Sequence, residues 1–347
     1  MKFATTYNGD KIDSISVITK LNVNDLERGR VYRFMFKGAD MNIGQSWYVP
    51  LMVAVGDTPG PKLLLNTGIH GDEINGSRVI QQLFEKLDPK TLSGVVIGVL
   101  QSNPNALMHG HRKWHLANDG GEYIDMNRVF PGNNEGNAAE IHAYKLWHDL
   151  WFDNANYVID IHTNTTDALF QTFIYADYTN PMVKQMAELI PVNHIKVDSP
   201  DNVKTDNGGS LSKAVDNVFN AHGIPALTLE LGGARSYNQS AINIALEGIN
   251  NIMIDRQMIK GIISKTAKDV NAYIGRDMHS VDALRGGYTE ILVKLGELIT
   301  QGQLVARQRN PFGDIIHNYT APLTGVIAAV ATGAIREQGS SLVYILS

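Results

Sequence analysis

His70 and Glu73 stand three residues apart in NTGIHGDEING, residues 66–76, directly after the apolar run Leu63-Leu64-Leu65. The chain contains no cysteine, so any metal it binds must use histidine, aspartate or glutamate. A third group of this kind, His162, follows the apolar stretch YVIDI. Two histidines and one carboxylate form a hydrolytic zinc set that leaves a fourth position for water. Zinc in such a set lowers the pKa of its water to about 7 and polarises a carbonyl. Short spacings of this type also arise by chance, and His162 alone could be a histidine hydrogen-bonded to Asp160 or Thr163. Position favours the trio, because its members lie where apolar runs end. Glu230 closes PALTLE in the same way, and the polar SNPNALMHGHR follows GVVIGVL.

These positions matter because ligands of open α/β sheets gather beyond the carboxyl ends of the strands. The pattern around the trio is of that kind. KLLLN, GVVIGVL, YVIDI and PALTLE read as buried strands. Between and after them, GSRVIQQLFEKL, AEIHAYKLWHDLWF, PMVKQMAELI, SLSKAVDNVFNAHG and SAINIALEGINNIMIDRQMI read as helices. Such alternation predicts an α/β sheet covered on both faces. Residues 1–55, with SISVITK and YVPLMVAVG, predict short antiparallel strands. After about residue 275 the chain becomes glycine-punctuated with almost no helical period. The expected organisation is therefore a catalytic α/β domain over 1–275 and a smaller all-β domain over 276–347.

Composition narrows the partners. With 347 residues and 44% hydrophobic content the chain can bury a large core. Acidic residues exceed basic ones, 35 to 30, and the basic residues are scattered, so neither nucleic acid nor an anionic membrane is expected as a partner. The N-terminal stretch lacks the apolar core of a signal peptide, and no run of eighteen apolar residues occurs. A cytoplasmic protein acting on small molecules is expected, and a homo-oligomer is left open.

GIHGDEINGS, SNPNALMHGHR, DMNRVFPG, VIDIHT and LTLELGG occur in an order and spacing that resemble the succinylglutamate desuccinylase/aspartoacylase family, over residues 50–260. The resemblance implies a zinc carboxypeptidase-like mixed sheet flanked by helices, with one zinc per chain on His70, Glu73 and His162. It makes Glu230 the general base and acid. It makes Asn127 and Arg128 the pair that holds a substrate carboxylate, a task suited to the planar fork of arginine. The family's leucine before that asparagine is Met126 here, a volume-conserving exchange. Arg112 matches the arginine that polarises the scissile carbonyl, although Lys113 or His115 could take that role. Arg235, in LGGARSY, is either a substrate contact or a surface arginine. His109, His111 and His115 are expected to be solvated loop histidines rather than a second metal site.

Residues 285–347 resemble a biotinyl/lipoyl-type β-barrel, yet Lys294 is their only lysine and RNPFGD, the candidate hairpin tip, has none. The tail is therefore expected to pack or to narrow access to the zinc cleft, not to carry a prosthetic group. The implied activity is zinc-dependent hydrolysis of the amide of an N-acyl amino acid. Tail-bearing members of the family resemble deacylases of small substrates such as N-acetylated diamino acids. Two other readings are a zinc carboxypeptidase acting on small peptides and a non-catalytic ligand-binding protein.

Overall fold

A computed structural model describes residues 4–118, 121–198 and 213–347. Residues 210–212 of the expected SLSKAVDNVFNAHG helix and Gly120 of the glycine pair lie outside them. The central element is an 11-stranded mixed sheet. In spatial order its strands are Thr6–Ile12, Ile15–Lys20, Arg30–Asp40, Ser46–Val55, Ser93–Val99, Thr58–Thr67, Tyr157–His162, Ala226–Glu230, Phe173–Asp177, His194–Asp198 and Tyr273–Gly275.

Alternation along these strands divides the sheet into two faces. One face carries Leu63, Leu65, Ile159, Ile161, Leu227 and Leu229 into a core closed by the helices Asn75–Lys86, Pro181–Glu188 and Gln239–Asp255. The opposite face carries Phe34, Phe36, Leu51, Leu64 and Val158 into a second core with Trp147, Trp151 and Phe219. Beyond Val158 that second face turns polar. Register places His162 beside Glu230, and Asp160 beside Thr228, which in turn lies beside Tyr175 and then Lys196.

Three sequence expectations are corrected. The first strands are not all antiparallel: Ile15–Lys20 and Arg30–Asp40 pair in parallel, because the connection over 21–29 crosses back before the chain re-enters the sheet. They also extend the central sheet, through Ser46–Val55 against Ser93–Val99. AEIHAYKLWHDLWF does not stay α-helical: an α-helix over Ala138–Lys145 widens to a π-helix over Leu146–Trp151. The wider turn lets Leu146, Trp147, Leu150 and Trp151 all be buried. The last long helix stops at Asp255, four residues short of the expected end.

From Met278 onward the chain forms antiparallel strands in two sheets around Val281, Ile299, Val305, Ile327, Leu342 and Ile345. One of these sheets takes in Ala168–Phe170, a strand from the central part of the chain, against Gly325–Ala331. Among the described residues, no helix is long and apolar enough to cross a membrane.

Candidate active site

The strand Thr58–Thr67 ends in a turn that has no room for side chains at two positions. Gly68 has φ +72°, in the left-handed region open to glycine. At Gly71 an added Cβ would lie 2.1 Å from the backbone of Ala106 and Leu107. The turn is thus pressed against the short helix Pro104–Met108, and Asn103 fixes it by donating its side-chain amide to Ile69 O at 2.9 Å. His70 and Glu73 are held at its apex, 2% and 1% exposed.

His162, at the end of the neighbouring Tyr157–His162 strand, meets them. Nδ1 of His70 lies 2.9 Å from Glu73 Oε1, Nδ1 of His162 lies 2.9 Å from Glu73 Oε2, and the two Nδ1 atoms are 3.2 Å apart. The far nitrogens face carboxylates: His162 Nε2 donates to Asp160 Oδ2 at 2.7 Å, and His70 Nε2 to Asp125 Oδ1 at 3.2 Å. Asp160 is itself held by the side-chain amide of Asn66 at 2.7 Å. Each imidazole thus lies between an outer carboxylate and Glu73, with its Nδ1 turned toward Glu73 and toward the other ring. Histidines backed by outer carboxylates in this way are the usual arrangement of metal-binding imidazoles. Among the described residues, this trio is the one group able to hold a metal ion.

Electrostatics agree. Burial opposes charge on Glu73, but the imidazoles of His70 and His162 hold its carboxyl well below the usual range. Burial likewise opposes charge on His162, and the Asp160 and Glu73 carboxylates overcome it and raise its pKa. Arg112 adds a fixed positive charge, donating to Glu73 Oε1 at 3.0 Å and to Asp125 Oδ2 at 3.4 Å.

A cavity of about 610 Å³ opens on the trio, and Arg112, Asn127, Arg128 and Glu230 line it as well. Glu230 is 8% exposed and its Oε2 has no hydrogen-bond partner. Burial pushes its carboxyl up to about 8. Asn127 accepts from Val215 N at 2.9 Å, anchoring the helix Val215–Ala221. Arg128 donates to Asn127 O at 2.7 Å, and no carboxylate among the described residues forms an ion pair with it.

The structure does not bring Arg235, Lys113 or His115 to this cavity. Arg235 has φ +61°, donates its backbone N–H to Asp72 O at 2.9 Å, and turns its guanidinium to Gly110 O on the exposed surface. His109 bonds Asn105 O at 2.8 Å, His111 accepts from Lys113 N at 3.1 Å, and His115 stacks near Tyr123. Sequence reasoning missed Tyr175, Lys196, Asp198, Lys213, Asp216, Met278 and Tyr344, which also line it. A period-two reading of FIYAD and HIKVD beside ALTLE would have put Tyr175, Lys196 and Asp198 on the face that carries Glu230.

The site therefore sits at strand ends of a mixed α/β sheet and gathers a buried His, Glu, His group that could hold a metal ion. The family profile of the succinylglutamate desuccinylase/aspartoacylase catalytic domain matches residues 59–255, and the chain belongs to that family. It is 26% identical over 290 residues to N-alpha-acetyl-L-2,4-diaminobutyric acid deacetylase of Halomonas elongata, a match covering 82% of each chain. It is 26% identical over 208 residues to succinylglutamate desuccinylase of Pseudomonas aeruginosa, covering 56% of this chain and 58% of that one. Among solved structures, the product-bound ectoine utilization protein of Ruegeria pomeroyi superposes with a TM-score of 0.79 at 21% identity, over 92% of this chain and 96% of that one. A succinylglutamate desuccinylase/aspartoacylase of Rhodobacter sphaeroides gives 0.77 at 21% identity, over 93% and 98%. These two likenesses show the fold.

Proposed function

We propose that this protein is a zinc-dependent hydrolase that cleaves the amide bond of an N-acyl amino acid, with one zinc held by His70, Glu73 and His162. The observation that carries the reading is the convergence of two carboxylate-backed imidazoles and a buried carboxylate beside Glu230, whose Oε2 lacks a partner. The deacylase and desuccinylase names of its relatives support it.

When bound, zinc supplies an acidified water and polarises the scissile carbonyl. The remaining work falls to side chains. Glu230, with its raised pKa, takes a proton from the attacking water and gives one to the leaving nitrogen, both within reach of a single carboxylate. Arg128, which has no ion pair among the described residues, holds the substrate carboxylate, and Asn127 fixes Arg128 through the backbone. Arg112 donates to Glu73 and presents positive charge to the developing oxyanion.

The test is release of free amino acid and carboxylate from a panel of N-acetyl and N-succinyl amino acids by zinc-loaded protein. Glu230→Gln should retain metal and lose roughly 10²- to 10⁴-fold in kcat. Release of a C-terminal residue from dipeptides, with no N-acyl amino acid cleaved, would replace this reading with a carboxypeptidase.

A further inference from the structure

Asn66 is an unusual residue for its place. It continues the buried run Leu63-Leu64-Leu65 on the strand Thr58–Thr67 and is itself fully buried, although asparagine is a weak strand former. An apolar side chain would fill the position without the cost of desolvating an amide. Register sets it opposite Asp160 on the neighbouring Tyr157–His162 strand, and Asp160 is fully buried as well.

The two oxygens of Asp160 have one donor each. Oδ2 accepts from Nε2 of His162 at 2.7 Å, and Oδ1 accepts from Nδ2 of Asn66 at 2.7 Å. A carboxylate turns readily about its last torsion, which is broad and two-fold. A donor on each oxygen removes that freedom, so the direction in which Asp160 holds His162 depends on Asn66. The amide is fixed in turn. A carboxylate oxygen only accepts, so the amide nitrogen must face Asp160 and Oδ1 of Asn66 must face away, where the Ser102 hydroxyl donates to it at 2.5 Å. Ser102 is fully buried, and its backbone is held on both sides. Its N–H donates to Thr67 O at 2.9 Å, and its carbonyl accepts from Nε2 of His142 at 2.9 Å. Hydrogen bonds thus run without a gap from Ser102 through Asn66 and Asp160 to His162. Of these four residues only His162 lines the cavity, so the other three reach the site through its ring.

We propose that Asn66, oriented by Ser102, is a positioning residue for the metal site: it locks Asp160 and thereby the ring of His162, holding Nδ1 toward Glu73 and His70 before an ion arrives. This rests on the zinc reading above.

The test measures zinc affinity by competition with a chromophoric chelator, and urea unfolding of the metal-free full chain, in wild type, Asn66→Leu, Ser102→Ala and Asn154→Leu. Asn154 is the control: it is buried ahead of the same Tyr157–His162 strand, bonds the backbone of Leu21, Val23 and Leu150, and does not line the cavity. Asn66→Leu should weaken zinc binding roughly 10- to 100-fold, the usual effect of losing an outer partner of a ligand. Ser102→Ala should weaken it roughly 5-fold, the worth of one neutral hydrogen bond. Asn154→Leu should lose stability and keep wild-type affinity. Wild-type affinity in Asn66→Leu or in Ser102→Ala would overturn the proposal, as would an equal loss of affinity in Asn154→Leu. Ser102→Ala removes only a hydroxyl and decides alone should Asn66→Leu fail to fold. If the wild-type chain binds no zinc, the zinc reading falls, and NMR of isotope-labelled histidine in the metal-free chain decides the positioning role separately. The His162 Nε2–H, held against Asp160, should exchange with solvent roughly 5-fold faster in Ser102→Ala than in wild type; equal exchange would overturn it.

Discussion

Lowering the pH from 8 to 5 should weaken the fold by about 2 kcal/mol through His142 alone. This ring is fully buried, and its two nitrogens have fixed roles. Nδ1 accepts the Ala39 N–H at 3.2 Å, and Nε2 donates to Ser102 O at 2.9 Å. Protonating Nδ1 would set an N–H against the Ala39 N–H. The ring cannot turn away, since even a Cβ on Gly38 would lie 2.3 Å from it. Burial therefore lowers its pKa to about 4, against the pull of the Ser102 bond and with the added repulsion of Lys145. The unfolded chain titrates near 6.5, so as the pH falls the unfolded state takes up the proton first. The contribution is complete above about pH 6.5 and is lost as the pH drops toward 4. At pH 5 the difference in proton uptake is worth a factor of about 30, or about 2 kcal/mol. Urea unfolding of wild type and His142→Gln at pH 8, 6 and 5 measures it. The variant keeps a donor and an acceptor but does not titrate, so the wild-type minus variant difference should fall by about 2 kcal/mol on acidification. His194, also lowered to about 4 by burial, is present in both proteins and cancels. A difference independent of pH would refute the neutral, doubly bonded ring.

Other perturbations reach the site more directly. His162→Ala should leave the purified protein without stoichiometric zinc by elemental analysis, and Asp160→Asn should weaken zinc affinity roughly 10- to 100-fold, the usual effect of an outer-shell partner. Gly71→Ala should destabilise by about 3 kcal/mol or more in urea unfolding, since its Cβ would overlap backbone that cannot rotate away. Arg128→Ala should lower kcat/KM by about 2 to 5 kcal/mol and abolish discrimination between a free substrate carboxylate and its amide. Arg235→Ala, on the exposed loop, should change stability and kcat/KM by no more than about 0.5 kcal/mol.

Much of the site's framework is legible in the chain because strand ends have a local signature. An apolar run that stops at a histidine or acid, as in VIDIH or LTLE, announces both the strand and the group it delivers. His70, Glu73, His162 and Glu230 were found that way, and they line one cavity. Arg235 lacked such a signature. Its direction depends on a positive φ and on the carbonyl of Gly110, a contact made 125 residues away along the chain. The parallel pairing of the second and third strands was illegible for the same reason: alternation shows which residues face inward, not which way the neighbouring strand runs. The π-helix was hidden because its gain, four large side chains buried from six residues, exists only against the sheet.

The position of the chemistry follows from where the helical cover ends. On the inner side of the sheet, helices and their leucines and isoleucines seal every strand from Thr58–Thr67 to His194–Asp198. On the other side, Trp147, Trp151 and Phe219 fill the space only as far as Val158. Further along the strand, His162 faces an open volume lined mostly by polar side chains. Such a volume is tolerable only if its walls are polar and satisfied, and here one is not: Glu230 Oε2 lacks a partner. The C-terminal sheet closes that volume with Met278 and Tyr344, steadied by the lent strand Ala168–Phe170, whose Phe170 ring packs on Phe173 and near Tyr344. A cavity floored by the central sheet and roofed by the C-terminal strands can be small yet strongly charged. Its wall sets the buried His70, Glu73 and His162 beside Arg112, Arg128 and Glu230, so that charges of both signs face one enclosed space.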